Sequence, residues 1–239
     1  MSLTGNLDIA GMASAPTRKR DRERTRQEIL DVAFTEFAEK GLTGANSDEI
    51  AARANVTKRL IFYYFKSKEQ LFTAVLEMVY ERMRLSEENL QLDKLSPRTA
   101  MRRLVEFTFD FDNANPEFVR MVTIENIHRA RHLSKSRKIK VMTRPIIEQI
   151  TRVLARGQRE KSIRRGINPV ELHMTLSALC IFSVANRHTF ESQFDYDMSS
   201  EKARKQRKKE IDDLLWRYVR LSRGERQQGA PFVSGKAAP

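Results

Sequence analysis

The sequence predicts an all-α protein, and three observations carry that prediction. From residue 25 to residue 222 apolar side chains recur at three- and four-residue spacing, the signature of one-sided helices. Ser, Thr or Asn stands just before many of these runs, in several cases with Glu or Gln three residues on, as helix caps do. Glycine and proline are scarce, 9 and 7 among 239 residues, and Pro97, Pro116 and Pro169 stand where helices would begin.

The first helix is expected from about Thr25 to Lys40, with Thr25-x-x-Glu28 as a capping box, or with helical turns that begin earlier in the charged run, and with Gly41 as a left-handed C-cap. Its stripe is Ile29, Leu30, Ala33, Phe34, Phe37 and Ala38. Asn46-x-x-Glu49 opens a second, short helix whose apolar positions are Ile50, Ala51 and Ala54. Asn55 closes it, because Asn tolerates the left-handed conformation, and Val56 plugs the corner before Thr57 caps a third helix. That helix buries Leu60, Ile61 and Phe65 and presents Lys58, Arg59, Tyr63 and Tyr64. Ser67 with Gln70 starts the next, with Lys66 and Lys68 at the joint.

Helix, tight turn and helix, with cations and tyrosines on the second, is chemistry suited to DNA. The second helix of such a pair enters the major groove while the first braces it across the backbone. Helix-start amides and ammonium groups suit phosphate oxygens. A helical hairpin in an ordinary bundle is the bland alternative. Six cations, Arg18, Lys19, Arg20, Arg22, Arg24 and Arg26, precede the first stripe. As a flexible arm they would track phosphates or enter a narrow minor groove; as a helix start they would oppose its dipole.

At this point the chain resembles the N-terminal domain of TetR-type transcriptional repressors. The matching positions are Ile29-Leu30, Ala33, Phe37, Gly41, Ile50-Ala51, Val56-Thr57, Tyr63-Tyr64-Phe65, Lys68 and Leu71, over about one fifth of the chain. Asn55 replaces a common Gly, and Leu60 and Phe62 stand where many members carry a hydroxyl that touches DNA; Leu60 can meet a thymine methyl instead. The resemblance implies a three-helix DNA-binding domain with a helix-turn-helix, followed by a helical ligand-binding and dimerisation domain. It implies two subunits on a palindromic double-stranded operator, released by a small organic effector. The residues expected to touch DNA are Arg18, Arg20, Asn46, Thr57, Lys58, Arg59, Leu60, Tyr63, Tyr64 and Lys68. Residues 18–68 would form this domain, 69–223 the regulatory body, and 1–17 and 224–239 disordered tails.

In the body, the Ser67 helix carries Leu71, Phe72, Val75, Leu76, Val79 and Met83 and should couple the two domains. Pro97 starts a helix that ends at Asn113-Ala-Asn-Pro116, and Pro116 opens another. Pro145 should kink or split the pattern that then continues to Gly157. Asn168-Pro169 starts the most apolar helix, to about Phe190, and a last helix runs from Ser200 to about Ser222. By resemblance, these last two long helices pair with their copies in a homodimer.

Charge is unevenly placed. The chain carries +13, yet residues 1–68 hold 12 Lys or Arg against 9 Asp or Glu. Between Arg129 and Arg165, 13 cations face only Glu148 and Glu160. A second DNA patch, an acidic partner, an anionic ligand or a solvated face each accounts for that run. One cysteine, Cys180, allows no intramolecular disulfide and sits in an apolar run as a small hydrophobe. No run approaches the roughly 20 apolar residues that span a bilayer. Together with a start that lacks signal-peptide character, this gives a cytoplasmic reading with no membrane partner.

No Gly-rich phosphate loop, His-Glu-x-x-His, Cys pair or Gly-x-Ser-x-Gly is present, so catalytic residues, a metal site and a cofactor are not expected. An effector cavity is expected instead, walled by Phe107, Phe111, Met121, Ile124, Glu125, His128, Met174, Ser177 and Phe182, with Glu125 and His128 as an i, i+3 polar pair. The alternative to a ligand-responsive repressor is a helical module that binds nucleic acid without sequence choice or regulates through a protein partner.

Overall fold

The computed structural model describes the backbone of residues 15–222 and the side chains of residues 20–222. The tails expected over 1–17 and 224–239 lie outside the described residues, except that 15–17 form the first turn of α1. Eleven α-helices and no strand occur among the described residues. They are α1 (Ala15–Gly44), α2 (Ser47–Arg53), α3 (Lys58–Phe65), α4 (Lys68–Glu88), α5 (Pro97–Ala114), α6 (Pro116–Ile127), α7 (Arg137–Met142), α8 (Arg144–Arg159), α9 (Pro169–Ala185), α10 (Arg187–Phe194) and α11 (Glu201–Val219). No helix among them is long and apolar enough to cross a membrane.

The chain forms two compact units that divide between Met78 and Val79, ten residues later than the boundary read from the sequence. The reason is packing: the first turns of α4 belong to the smaller unit's core. Phe72 lies edge-on against Phe37 at 5.1 Å between ring centroids, and both are fully buried with Ile29, Ile50, Ile61 and Leu71. Each fully buried side chain of this size contributes roughly 1.5–3 kcal/mol.

α1 begins at Ala15, so Thr25 is not its N-cap. The Thr25 hydroxyl donates instead to the Asp21 carbonyl one turn back, at 2.9 Å. The basic run is therefore helical through Arg20–Arg26 rather than an extended arm, held by exposed pairs such as Arg24–Glu28 (3.7 Å) and Arg26–Glu23 (3.7 Å). Gly41, at φ 68° and ψ 176°, interrupts α1 in a region open essentially to glycine alone.

In the larger unit α5 is central and packs on α6, α8, α9 and α11. Met101, Leu104, Val105 and Phe109 from α5 meet Ile150 and Leu154 from α8, Leu172, Leu176 and Cys180 from α9, and Ile211, Leu215 and Val219 from α11. Pro145 splits the basic pattern as its chemistry requires, and Thr143 separates α7 from α8. Gly157 does not end α8, which runs to Arg159. A Cβ there would stand 2.5 Å from Ile163 Cδ1, so glycine is needed for close approach.

The helix expected from Pro169 to Phe190 is two. It breaks at Asn186, and Phe190 then lays its ring against Phe182 with 5.9 Å between centroids. Eight residues of unbroken helix would separate the two positions by about 12 Å along the axis.

Candidate nucleic-acid interface and helical interior

The interface is built by caps. The Asn46 side chain accepts from Asp48 N at 2.8 Å and opens α2. The reciprocal half of the expected capping box is absent, because Glu49 pairs with Lys40. Glu36 takes that role from α1: its carboxylate, 1% exposed, accepts from Asn46 N (3.3 Å), Lys40 Nζ (3.0 Å) and Arg53 Nη1 (3.3 Å). Burial alone would raise its pKa, but the hydrogen bonds from Lys40 and Asn46 outweigh burial and hold the group below the usual carboxylate range. The carboxylate thus fixes the α1–α2 corner as a charged, fully paired anchor.

Asn55 has φ 52°, the left-handed turn its side chain permits. Thr57 Oγ1 then accepts from Leu60 N at 3.2 Å and starts α3. Ile61 and Phe65 are buried, which leaves Lys58, Arg59 and Tyr63 on the open face with Leu60 half-covered beside them. Tyr63 is 60% exposed and stacks edge-on against Tyr64 at 5.5 Å. Lys66, with φ 62°, ends α3, and its ammonium lies 5.8 Å from the Tyr63 ring. A phenol tip and cationic groups therefore share one short helix with an uncovered N-terminus, the arrangement that phosphate and base edges require.

Three expected contact residues are engaged within the unit. Tyr64 donates its hydroxyl to the Arg22 carbonyl (3.3 Å), Lys58 pairs with Asp48 (2.8 Å), and Lys68 donates to the carbonyls of Ala45 (3.0 Å) and Thr43 (3.4 Å). Tyr64 and Lys68 thus brace the platform. Arg20 is exposed on α1, and the Arg18 side chain lies outside the described residues.

In the larger unit, rings form a continuous chain: Phe107 to Phe111 at 5.7 Å, Phe111 to Phe118 at 5.6 Å and Phe118 to Tyr80 at 5.5 Å. Met121 is fully buried, and Ile124, His128 and Ser177 are half-buried. Met174 and Phe182, expected as cavity wall, are 64% and 42% exposed, so they lie on the outer side of α9.

The expected Glu125–His128 pair is not formed. Buried Glu125 instead faces His132: Oε2 lies 2.9 Å from Nδ1, while Oε1 accepts from the backbone amides of His132 (2.6 Å) and Leu133 (2.8 Å). The reason is the turn after α6, where Arg129 and Ala130 both have positive φ (56° and 55°) and fold the chain back over the carboxylate.

Two functional candidates were missed by the sequence reading. Asp112 is 2% exposed, its Oδ2 has no hydrogen-bond partner among the described residues, and burial pushes its pKa up to about 7. His173 Nδ1 is likewise buried without a partner, and burial, with Arg84 nearby, lowers its pKa. A signal existed for Asp112: it falls on the stripe Met101, Leu104, Val105, Thr108, where an apolar residue belongs. No group of three metal-binding side chains occurs among the described residues.

Comparison with known proteins places both units. A family described as "Bacterial regulatory proteins, tetR family" matches residues 29–75, and "Tetracyclin repressor-like, C-terminal domain" matches residues 97–215. The HTH-type transcriptional repressor NicS of Pseudomonas putida is 33% identical over 203 residues, covering 85% of this chain and 96% of NicS. The HTH-type transcriptional repressor SCO4008 of Streptomyces coelicolor is 34% identical over 108 residues, 45% of this chain and 53% of that protein. Among solved structures, the ketosteroid transcriptional regulator KstR2 of Mycobacterium tuberculosis has a TM-score of 0.60 at 17% identity, covering 90% of this chain and all of that one. HlyIIR, a hemolysin II transcriptional regulator, has a TM-score of 0.58 at 20% identity, covering 84% and 99%. These two likenesses concern the fold.

Proposed function

The chain belongs to the TetR family of bacterial regulatory proteins and is a DNA-binding transcriptional regulator, and from that premise we propose that it is a repressor released from a palindromic operator by a small organic effector. The observation that carries the effector reading is the pair of unpartnered polar groups inside the larger unit, Asp112 Oδ2 and His173 Nδ1. A buried polar group without a partner costs about 1–3 kcal/mol, and a ligand that supplies the missing hydrogen bond offsets it. The aromatic chain from Phe107 to Tyr80 gives the apolar area that such a ligand covers.

DNA is read by α3. Lys58 and Arg59 lie nearest its capped start and address base edges or phosphate, Tyr63 reaches phosphate, and Thr57 and Asn46 contribute from the two helix starts. Leu60 meets a thymine methyl. Arg20, and Arg18 with it, follow the backbone from α1, while Tyr64 and Lys68 hold the platform.

Two copies join through α9 and α11. Val170 and Met174 on α9 and Leu214 and Tyr218 on α11 are 47–64% exposed, and apolar stripes of this kind are covered in a two-fold interface. Effector binding then selects a separation of the two heads that no longer matches the half-sites, with α4 as the lever. The test is operator selection from random DNA, followed by screening compounds for release. A released complex must show reciprocity: operator DNA weakens effector binding by the factor by which effector weakens operator binding. Release without reciprocity, or selection of no site, refutes the reading.

A further inference from the structure

A cavity of about 310 Å³ opens between α5, α9, α10 and α11, and none of the rings from Phe107 to Tyr80 lines it. Its floor is Phe109, 2% exposed; its sides are Phe182, Phe190, Tyr196 and Met198. The walls are braced. Phe190 stacks on Phe194 at 4.5 Å, Met198 N donates to Glu191 Oε1 at 2.9 Å, and Asp197 ties down Ser199 and Ser200. A volume near 300 Å³ lies at the lower end of small-molecule pockets and suits one or two fused rings.

Ser183 makes this cavity a site rather than a surface hollow. Ser183 is among the residues that line the cavity, it is 7% exposed, and its Oγ, itself shielded from solvent, has no hydrogen-bond partner among the described residues. A helical serine normally back-bonds to the carbonyl four residues earlier. Thr108, Thr123, Thr151 and Thr175 of this chain all do so, at 2.7–2.9 Å. For Ser183 that carbonyl is Leu179 O, and the Arg207 guanidinium reaches it from α11 at 3.5 Å. The serine hydroxyl is thus left without that partner. Arg207 is also faced by Glu210 at 3.8 Å, and exposed Arg204 lines the same rim, so one of its two cations already has a carboxylate beside it.

We propose that this cavity is a second small-molecule site, for a neutral, flat aromatic compound of one or two rings that carries a single hydroxyl or carbonyl group. The ring fills the space between Phe109, Phe182 and Phe190, and the polar group pairs with Ser183 Oγ. Aromatic rings stack on such walls at centroid separations of 4.5–7 Å. The proposal stands independently of the effector reading, since none of the residues of the Phe107-to-Tyr80 chain lines this cavity.

The test uses the full chain with methyl-labelled methionine, Met198 being assigned through Met198→Leu, and three probes: 2-naphthol, naphthalene and 2-naphthoate. 2-Naphthol should shift the Met198 methyl signal and bind about five- to tenfold more tightly than naphthalene, the effect of one neutral hydrogen bond. Ser183→Ala should bring 2-naphthol down to the naphthalene level and leave naphthalene unchanged. Its thermal midpoint should not fall, because no protein hydrogen bond is lost. Phe190→Ala should weaken both. The proposal is overturned if 2-naphthol leaves Met198 unshifted, if Ser183→Ala binds it as tightly as the parent, or if 2-naphthoate binds more tightly than 2-naphthol.

Discussion

Two buried carboxylates, one in each unit, are treated in opposite ways. In the smaller unit Glu36 is met by Lys40, Arg53 and the Asn46 amide, stays charged and locks the corner on which the recognition helix is mounted. In the larger unit Asp112 is as deeply buried and has an oxygen without a partner among the described residues, so its folded state favours the proton. The contrast separates two kinds of task. A surface that reads DNA gains from rigidity, and its buried polar groups are satisfied in advance. If the larger unit takes the proposed effector, Asp112 is a group whose best partner has yet to arrive, at some expense in stability, while Glu125 of the same unit is already satisfied.

The largest expected effect breaks one unit and spares the other. Phe37→Ala removes a fully buried ring and should cost the smaller unit about 3–5 kcal/mol. Trp216, the single tryptophan, lies in α11 and reports the larger unit alone. A first part of the helical circular dichroism, that of the smaller unit, should be lost well before the Trp216 fluorescence transition; if both move together, the units do not unfold separately.

Next in size is the pH dependence of the larger unit. Asp112 titrates at about 7 when folded and near 3.8 when unfolded, so between those values the folded state binds more protons and stability falls as pH rises. The Trp216 midpoint should decline across that window by roughly 1–4 kcal/mol in stability, and Asp112→Asn should flatten the decline. Glu36 has the opposite sign. Its folded pKa is lowered, so its contribution is present above the unfolded value of 4.5 and lost as pH falls through the folded value. Acid titration of Glu36→Gln beside the parent checks that sign.

Tyr63→Ala should weaken operator binding by about 1–3 kcal/mol and leave stability unchanged, since the ring is mostly in solvent. Lys68→Ala should weaken binding too, but with a lower thermal midpoint, because its ammonium holds the Thr43 and Ala45 carbonyls. Equal stability for both variants would remove the distinction between reading and bracing. The smallest effect is Thr57→Ala, about 1 kcal/mol of stability through the lost α3 cap, measured by urea unfolding.

The smaller unit was legible in the sequence because its determinants are local. The caps Asn46 and Thr57, the left-handed Asn55 and the buried Ile61 and Phe65 are all set within a few residues of the groups they position. What it concealed was long in range: Glu36 replacing Glu49 in the cap, and Lys68 and Tyr64 turned inward onto carbonyls 23 and 42 residues away. The sequence left the start of α1 open between the charged run and Thr25, and the helix begins early because cations oppose its dipole only weakly in solvent, where i, i+4 pairs offset them.

In the larger unit helix starts at Pro97, Pro116 and Pro169 were readable, whereas cavity walls were not. Which side of α9 faces inward depends on α5 and α11, which the sequence spacing of Met174 and Phe182 does not encode. The Glu125–His132 contact likewise arises from two positive-φ residues, Arg129 and Ala130, neither of a type that announces a turn.

The most direct test of the central claim, that α3 reads sequence from a preformed platform, is operator selection from random DNA with the parent chain and with Arg59→Ala. The account predicts a two-fold symmetric site for the parent, with half-sites about one helical turn or a simple multiple apart. It predicts that Arg59→Ala either relaxes the base preference at one position in each half-site or lowers the salt slope with preference unchanged. Binding by the parent that enriches no sequence and falls with salt alone would contradict it.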